Sequence, residues 1–133
     1  MSSAPPVILV IDDDDEMLRL VTLAFRRTAA TVVTQNGGFG ALTAIASRRP
    51  VVVLLDVTMP GLDGPAVVEL VRGDPELART RVIFWSALGR EALDEARERS
   101  GADAAIPKTS GATALVDQVC GWLLAWDGVD LRA

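Results

Sequence analysis

Short runs of apolar residues alternate with amphipathic stretches along the whole chain, and this order restricts the possible folds more than any other feature. The runs VILVI, VVVLL and VIFW contain no polar residue, which is typical of parallel strands covered on both faces. The stretches between them repeat apolar residues with the period of a helix. Strict strand–helix alternation predicts an α/β layer fold with right-handed crossovers. The predicted strands are 7–11, 31–35, 51–55, 81–85 and 103–107, and the predicted helices are 16–27, 38–48, 65–73, 90–99 and 111–126.

Length and composition narrow the class of protein. The 133 residues fit one domain, which we place at residues 7–126, with a flexible N-terminus at 1–6 and a loose C-terminal tail at 127–133. The net charge of −5 argues against a sequence-independent nucleic-acid binder. No apolar run approaches the roughly 18 residues of a membrane span, and the first residues lack the pattern of a signal peptide. We therefore expect a cytoplasmic protein without nucleic-acid or membrane partners.

The chain contains no histidine and one cysteine, Cys120. The absence of histidine excludes Ser-His-Asp and Cys-His catalysis, and histidine-ligated metal sites, within this chain. A lone cysteine cannot form an internal disulfide. Any chemistry must therefore use carboxylates, hydroxyls, lysine, arginine or the single thiol.

Acidic residues stand at the ends of the first and third predicted strands. Asp12 opens a run of four aspartates after the first strand, and Asp56 ends the third. Sites in open doubly wound sheets form beyond the carboxyl ends of strands where the strand order reverses, so Asp12, Asp13 and Asp56 converge if those strands are neighbours. Such repelling carboxylates suit a hard cation such as Mg²⁺. Asp14 and Asp15 are assigned to capping the first helix, whereas both capping and metal binding remain open for Asp12 and Asp13.

A hydroxyl and an amine stand at the ends of the last two predicted strands. Ser86 follows the fourth strand, and Lys108 follows the fifth. A lysine at this edge can pair with an acyl phosphate oxygen, and a serine hydroxyl can donate to another. Each alone is more typical of a solvated lysine or a turn serine. Their occurrence together with the aspartates, at one edge of the sheet, favours a phosphoryl site.

These motifs resemble the receiver domains of two-component response regulators over about residues 7–126. The stretch DVTMPGLDG, residues 56–64, is similar to the D-x-x-M-P-x-x-D-G segment of that family. IDDDDE is similar to its acidic pair, Ser86-Ala87 to its switch hydroxyl and following small residue, and GAD before Lys108 to its G-A-D…K segment. The resemblance implies a flavodoxin-like, doubly wound (βα)5 fold. Its five-stranded parallel sheet would have the order 2-1-3-4-5, with helices on both faces.

The resemblance implies a phosphoacceptor in signal transduction rather than an enzyme. A histidine kinase or phosphotransfer protein, as in a phosphorelay, would donate a phosphoryl group to Asp56. The added charge would then switch binding to a downstream protein target. A homodimer through the fourth and fifth helices is a further expectation.

The resemblance also implies a role for each site residue. Mg²⁺ would be bound directly by Asp13, Asp56 and the backbone carbonyl of Thr58, and Asp12 would act largely through water. Lys108 would contact the phosphoryl group, and Ser86 would rotate inward to hydrogen-bond it.

Four positions near the site bear on how the switch works. Thr109 follows Lys108 where the family usually has proline, and Ala105 occupies the place of its aromatic switch residue. These departures keep open a pseudo-receiver that acts as an interaction module without phosphorylation. Thr58 and Leu88 flank the route of a hydrolytic water and are expected to tune dephosphorylation.

A Mg²⁺-dependent aspartyl phosphatase of the haloacid dehalogenase type is a third alternative. That family also uses an aspartate after a strand, but it requires a second aspartate two residues later. Thr58 stands at that position, so the sequence favours the receiver function over the phosphatase.

Overall fold

The computed structural model describes residues 4–132 and places one parallel sheet between two layers of helices. The strands are β1 (Val7–Asp12), β2 (Thr31–Asn36), β3 (Val52–Leu55), β4 (Thr58–Met59), β5 (Leu62–Asp63), β6 (Arg81–Ser86) and β7 (Ala104–Pro107). The helices are α1 (Asp15–Ala24), α2 (Ala41–Arg48), α3 (Gly64–Gly73), α4 (Arg90–Ser100) and α5 (Gly111–Asp127), and Lys108–Ser110 form a 3₁₀ turn.

The five strands of the sheet are parallel and run in the order β2-β1-β3-β6-β7. This confirms the predicted doubly wound fold and its 2-1-3-4-5 order, because β4 and β5 form a separate antiparallel hairpin. The chain leaves β1 to one side for β2 and returns on the other side for β3. A crevice forms at such a reversal, beyond the carboxyl ends of the two strands.

The central strands are apolar throughout because their side chains alternate between two buried layers. In β1, Ile8 and Val10 pack with α1 and α5, whereas Leu9 and Ile11 pack with α2, α3 and α4. All four side chains are fully buried. A polar side chain at any of these positions would lose its hydration and would need a buried partner.

The second helix is shorter than predicted. The stretch 38–48 was expected to be helical with Phe39 on its apolar stripe, but α2 begins at Ala41 and the side chain of Phe39 is fully exposed. Gly37 and Gly40 have φ angles of 84° and 79°, in the left-handed region that favours glycine. The sequence GGFG, residues 37–40, therefore forms a loop, which removes Phe39 from the helix.

The first helix also ends early. The prediction of a helix at 16–27 is wrong beyond Ala24. Both the N–H and the hydroxyl of Thr28 donate to the carbonyl of Phe25, at 3.0 and 2.7 Å. Such local bonds satisfy the backbone without a helix and compete with its continuation.

The C-terminal tail predicted at 127–133 packs against the domain. Leu131 is fully buried in the layer of α1 and α5, and its carbonyl accepts a hydrogen bond from the N–H of Ala29 at 2.7 Å. Gly128 has a φ of 67°, which ends α5 and turns the chain back. The expectation of a loose C-terminal end is therefore wrong for residues 128–132.

The N-terminal segment is described only in part. Residues 1–3 of the predicted flexible stretch 1–6 lie outside the described residues. The carbonyl of Pro6 accepts a hydrogen bond from the N–H of Thr31 at 2.8 Å, which extends the pairing of β1 and β2. Across residues 4–132, no helix combines the length and apolar character needed to cross a membrane.

Candidate functional site at the carboxyl edge of the sheet

Two buried carboxylates lie side by side at the reversal of the sheet. Asp12 is the last residue of β1, and Asp56 follows β3 directly. The N–H of Asp56 donates to the carbonyl of Ile11 at 3.0 Å, so the parallel pairing of the strands continues into the site. Asp12 is 1% exposed and Asp56 is 4% exposed. The pairing of β1 with β3 therefore brings these two aspartates together, as predicted.

Lys108 lies between the two buried carboxylates. Its Nζ is 2.7 Å from Oδ2 of Asp12 and 3.2 Å from Oδ2 of Asp56. Lys108 opens the 3₁₀ turn after β7, which brings its side chain over the carboxyl ends of the central strands. Burial lowers the pKa of Lys108, but its hydrogen bond to Asp12 and the charges of both aspartates outweigh this effect and raise the pKa overall. Lys108 is thus a fixed, protonated cation.

Asp12 is the most buried acid of the site, and its pKa is raised. Burial is the largest cause, and the nearby charge of Asp56 adds to it. The hydrogen bond and the charge of Lys108 oppose the shift, as does the N–H of Asp14, which donates to Oδ1 of Asp12 at 3.1 Å. One lysine therefore does not fully compensate the two buried carboxylates.

A third carboxylate lies at the open side of this pair. Asp13 is exposed, and single carboxylate oxygens of Asp12, Asp13 and Asp56 all lie within 4.8 Å of one another. With Lys108, these groups carry three negative charges and one positive charge, a formal sum of −2. Oxygen ligands with room for water, carrying excess negative charge, are the donor set that Mg²⁺ prefers. The residues present therefore fit the predicted cation.

The acidic run divides between the site and the first helix. Asp14 is the N-cap of α1, and its Oδ1 accepts from the N–H groups of Glu16 and Met17. Asp15 lies in the first turn, where it accepts a hydrogen bond from Asn36 at 2.6 Å. Asp14 therefore caps the first helix, whereas Asp15 does not. Asp12 faces Lys108 instead.

Thr58 contacts the phosphoacceptor candidate in a way that the sequence reasoning missed. Its N–H and its hydroxyl both donate to Oδ1 of Asp56, at 3.1 and 3.2 Å. Thr58 opens the hairpin of β4 and β5, where it pairs with Asp63. Residues 58–63 thus form a short hairpin between β3 and α3. An aspartate side chain before a turn commonly accepts from the backbone N–H two residues later, and this tendency of Asp56 was the available signal.

Ser86 lies at the same edge without touching the carboxylates. It is the last residue of β6, is fully buried, and its hydroxyl accepts from the N–H of Leu88 at 3.4 Å. Its partner in register across the sheet is Pro107, next to Lys108. This long hydrogen bond leaves the hydroxyl free to donate to another group.

The two positions that depart from the family pattern lie close by. Ala105 on β7 is half-buried opposite Phe84 and presents only a methyl group. Thr109 follows Lys108 within the 3₁₀ turn, and no described peptide bond is cis. The loop carrying Lys108 therefore reaches the carboxylates with threonine in the place where the family usually has proline.

Comparison with known proteins agrees with this arrangement. A family model described as the response regulator receiver domain matches residues 8–120. PilG of Pseudomonas aeruginosa is 36% identical over 70 residues, which cover 47% of this chain and 52% of PilG. The chain thus spans about half the length of that relative. The receiver domain of the Francisella response regulator 1452 is 28% identical with a TM-score of 0.77, over 90% of this chain and 97% of that one. The BeF3-activated receiver domain of Klebsiella pneumoniae RstA is 26% identical with a TM-score of 0.78, over 88% and 97%.

Proposed function

Because the chain belongs to the response regulator receiver domain family, we propose that Asp56 accepts a phosphoryl group from a phosphohistidine. The donor would be a histidine kinase or a phosphotransfer protein in the cytoplasm. The observation that carries the proposal is the grouping of Asp56, Asp12 and Lys108, with one lysine ammonium between two buried carboxylates.

The transfer requires little covalent chemistry from the protein. A carboxylate oxygen of Asp56 attacks phosphorus, the new P–O bond forms as the P–N bond of the phosphohistidine breaks, and the departing imidazole takes up a proton. Such reactions depend on positioning and on neutralising the charge of the transferred group. Lys108, whose Nζ is 3.2 Å from Oδ2 of Asp56, would pair with the phosphoryl oxygens, and Thr58 donates two hydrogen bonds to the other carboxylate oxygen.

Mg²⁺ would be held by Asp13, Asp56 and the backbone carbonyl of Thr58, with Asp12 acting through water. When bound, the ion neutralises negative charge on the phosphoryl oxygens. The donor set supports this assignment, because three carboxylates at this spacing repel one another in its absence.

The signal would pass from Asp56 to the surface through Ser86. Its hydroxyl would leave the weak bond to Leu88 and donate to a phosphoryl oxygen, drawing in the loop after β6. Ala105 leaves space at the edge strand for that movement, in place of an aromatic side chain. Thr58 and Leu88 would tune the loss of the phosphoryl group. The output would be binding of a downstream protein, or a homodimer through α4 and α5, with no nucleic acid bound by this domain.

The test uses a small phosphodonor, so it does not depend on the identity of the kinase. The protein is incubated with acetyl phosphate and Mg²⁺, and the adduct is read by intact mass. Beryllofluoride binding is followed by the fluorescence of the tryptophans, including the buried Trp85 beside Ser86. We expect a single phosphoryl adduct that is absent from Asp56→Asn and absent when EDTA replaces Mg²⁺.

The matched control is Asp63→Asn, which changes an aspartate that caps α3 through the N–H of Ala66. It should be phosphorylated like the wild type. An unmodified wild-type protein, or an equal adduct on Asp56→Asn, would refute the proposal and favour the pseudo-receiver. Multiple turnover of a small phosphate ester would favour the phosphatase.

A further inference from the structure

A surface groove between α2 and α3 is mostly apolar in its lining and open to solvent. It encloses about 700 Å³ and is lined by leucines from both helices and from the segment after α3. Leu70 on α3 is 58% exposed, although leucine in a globular domain is usually buried. Leu42 on α2 and Leu77 complete the apolar lining.

Small side chains make the groove accessible to another helix. Thr43 and Ala46 line it from α2, and Gly73 lines it from the end of α3. Nothing lies within 4 Å of the position where a Cβ would stand on Gly73. Helices pack at interaxial distances of about 8–10 Å, and small side chains at the contact permit the closer approaches.

Phe39 presents a second apolar group two residues before α2. Its side chain is fully exposed, yet its loop is held in place. The side-chain amide of Gln35 donates to the carbonyls of Gly37 and Phe39, at 3.0 and 2.9 Å. Gly38 packs so closely on Leu62 that a Cβ there would lie 2.6 Å from Cδ2 of Leu62. An aromatic side chain on a loop already ordered loses little backbone entropy on binding.

The charges along the groove have one sign. Glu69 and Asp74 are exposed and are the charged side chains that line it. The groove between α1 and α5 differs, since Arg27, Arg132 and Asp117 give it both signs. A partner for the α2–α3 groove is therefore favoured if it carries positive charge beside its apolar residues.

We propose that the α2–α3 groove, together with Phe39, binds an amphipathic helix of a partner protein that carries lysine or arginine beside its apolar face. The leucines receive the apolar face, and Glu69 and Asp74 attract the basic flank. The interaction goes beyond phosphorylation of Asp56, since none of the groove residues belongs to the carboxylate site.

Two synthetic helical peptides of about 18 residues, five helical turns, test the proposal. Both carry leucine at one helical face; one has lysines beside it and the other has glutamates. Binding to the intact protein is measured by fluorescence anisotropy. We expect the basic peptide to bind, and Leu70→Gln and Phe39→Ser each to weaken it by about tenfold. The control Leu124→Gln changes a leucine of similar exposure on α5 and should leave binding unchanged.

Charge reversal supplies the second arm. In the double variant Glu69→Lys with Asp74→Lys, the preference should change to the acidic peptide. Equal binding of both peptides by the wild type, no binding of the basic peptide, or unchanged binding by Leu70→Gln would each overturn the proposal.

Sedimentation of the protein alone tests the other occupant: a dimer that Leu70→Gln dissociates would assign the groove to a second copy instead. Phosphorylation of Asp56 is read separately, and its failure would not affect these results.

Discussion

Charged side chains gather at both edges of the central sheet, and the two clusters differ in their balance. At the carboxyl edge, three aspartates face one lysine, a formal sum of −2. At the amino edge, two arginines and two aspartates sum to zero. This second cluster, the amino-edge network, consists of Arg72, Arg81, Asp103 and Asp127.

Every charge in the amino-edge network has a close partner. Asp103 accepts from Arg72 at 2.7 Å, from Arg81 at 2.9 Å and from the N–H of Val82 at 2.8 Å. Arg81 forms a two-point pair with Asp127, with both bonds at 3.0 Å, and lies 4.9 Å from the ring centre of Trp126. Charges satisfied in this way hold elements together. Charges in excess at a buried edge destabilise the free protein and favour a ligand of opposite sign. The amino edge is therefore suited to holding the fold together, and the carboxyl edge to binding a cation.

The largest expected effect concerns the amino-edge network. Asp103→Ala removes one acceptor from Arg72, one from Arg81 and the carboxylate acceptor of the Val82 N–H. We expect a loss of about 2–3 kcal/mol in the free energy of unfolding. Urea denaturation measures it. The control Asp94→Ala removes an exposed aspartate that lies 3.6 Å from Arg90 and should change stability by less than about 0.5 kcal/mol. Equal effects in the two variants would contradict a structural role for the network.

The positions of the carboxyl-edge residues could be predicted because they depend on topology alone. Asp12, Asp56, Ser86 and Lys108 each stand at the end of a strand, and the carboxyl ends of parallel strands meet at one edge. The amino-edge network could not be predicted in this way, since Arg72 stands near the end of α3 rather than at a strand end, and the packing of α3 brings it to Asp103.

Other features escaped prediction because a local pattern conflicted with tertiary contacts. Phe39 continues a helical apolar stripe in the sequence, but the surrounding glycines form a loop instead. Leu131 comes directly after Asp130 and three residues after Gly128, a composition typical of a solvated tail. Its burial depends on a gap between α1 and α5 that only the folded domain provides.

The next largest effect is expected when Mg²⁺ supplies positive charge to the carboxyl edge. Mg²⁺ bound to the folded state as proposed should raise the free energy of unfolding by about 1.4 kcal/mol at ten times its Kd. Thermal denaturation in MgCl2 and in EDTA measures the difference. Asp13→Asn and Asp56→Asn should reduce the shift, whereas Asp94→Ala should retain it. A shift of equal size in all of these proteins would show that the ion acts elsewhere.

A somewhat smaller effect is expected when a substitution removes negative charge from the same edge. In EDTA and at low salt, Asp13→Asn should raise the free energy of unfolding by about 1 kcal/mol, because it relieves repulsion from two neighbouring carboxylates. Asp13 is the suitable position, since the ammonium of Lys108 pairs with Asp12 and Asp56 and keeps both partners. Urea denaturation at increasing NaCl should show the gain shrinking as the charges are screened. A loss of stability would mean that the edge is not overcharged.

The smallest expected effect is a pH dependence of stability that belongs to the amino edge alone. The hydrogen bonds from Arg81 lower the pKa of Asp127 below its ordinary value of 3.8. A lowered pKa means that the pair stabilises the folded state above pH 3.8, and that this contribution is lost as the pH falls through the lowered pKa. The side chain of Asp127 is 37% exposed, so solvent screening limits the contribution to about 0.3 kcal/mol.

Asp127→Asn should therefore be slightly less stable than the wild type at neutral pH, and the two should converge in strong acid. Thermal denaturation across the acidic range measures the difference, with Glu98→Gln as a control, since Glu98 is 74% exposed and lies 3.8 Å from Arg97. Because the pair belongs to the balanced edge, Mg²⁺ should leave this difference unchanged. A difference that Mg²⁺ abolishes would link the two edges and break the separation between them.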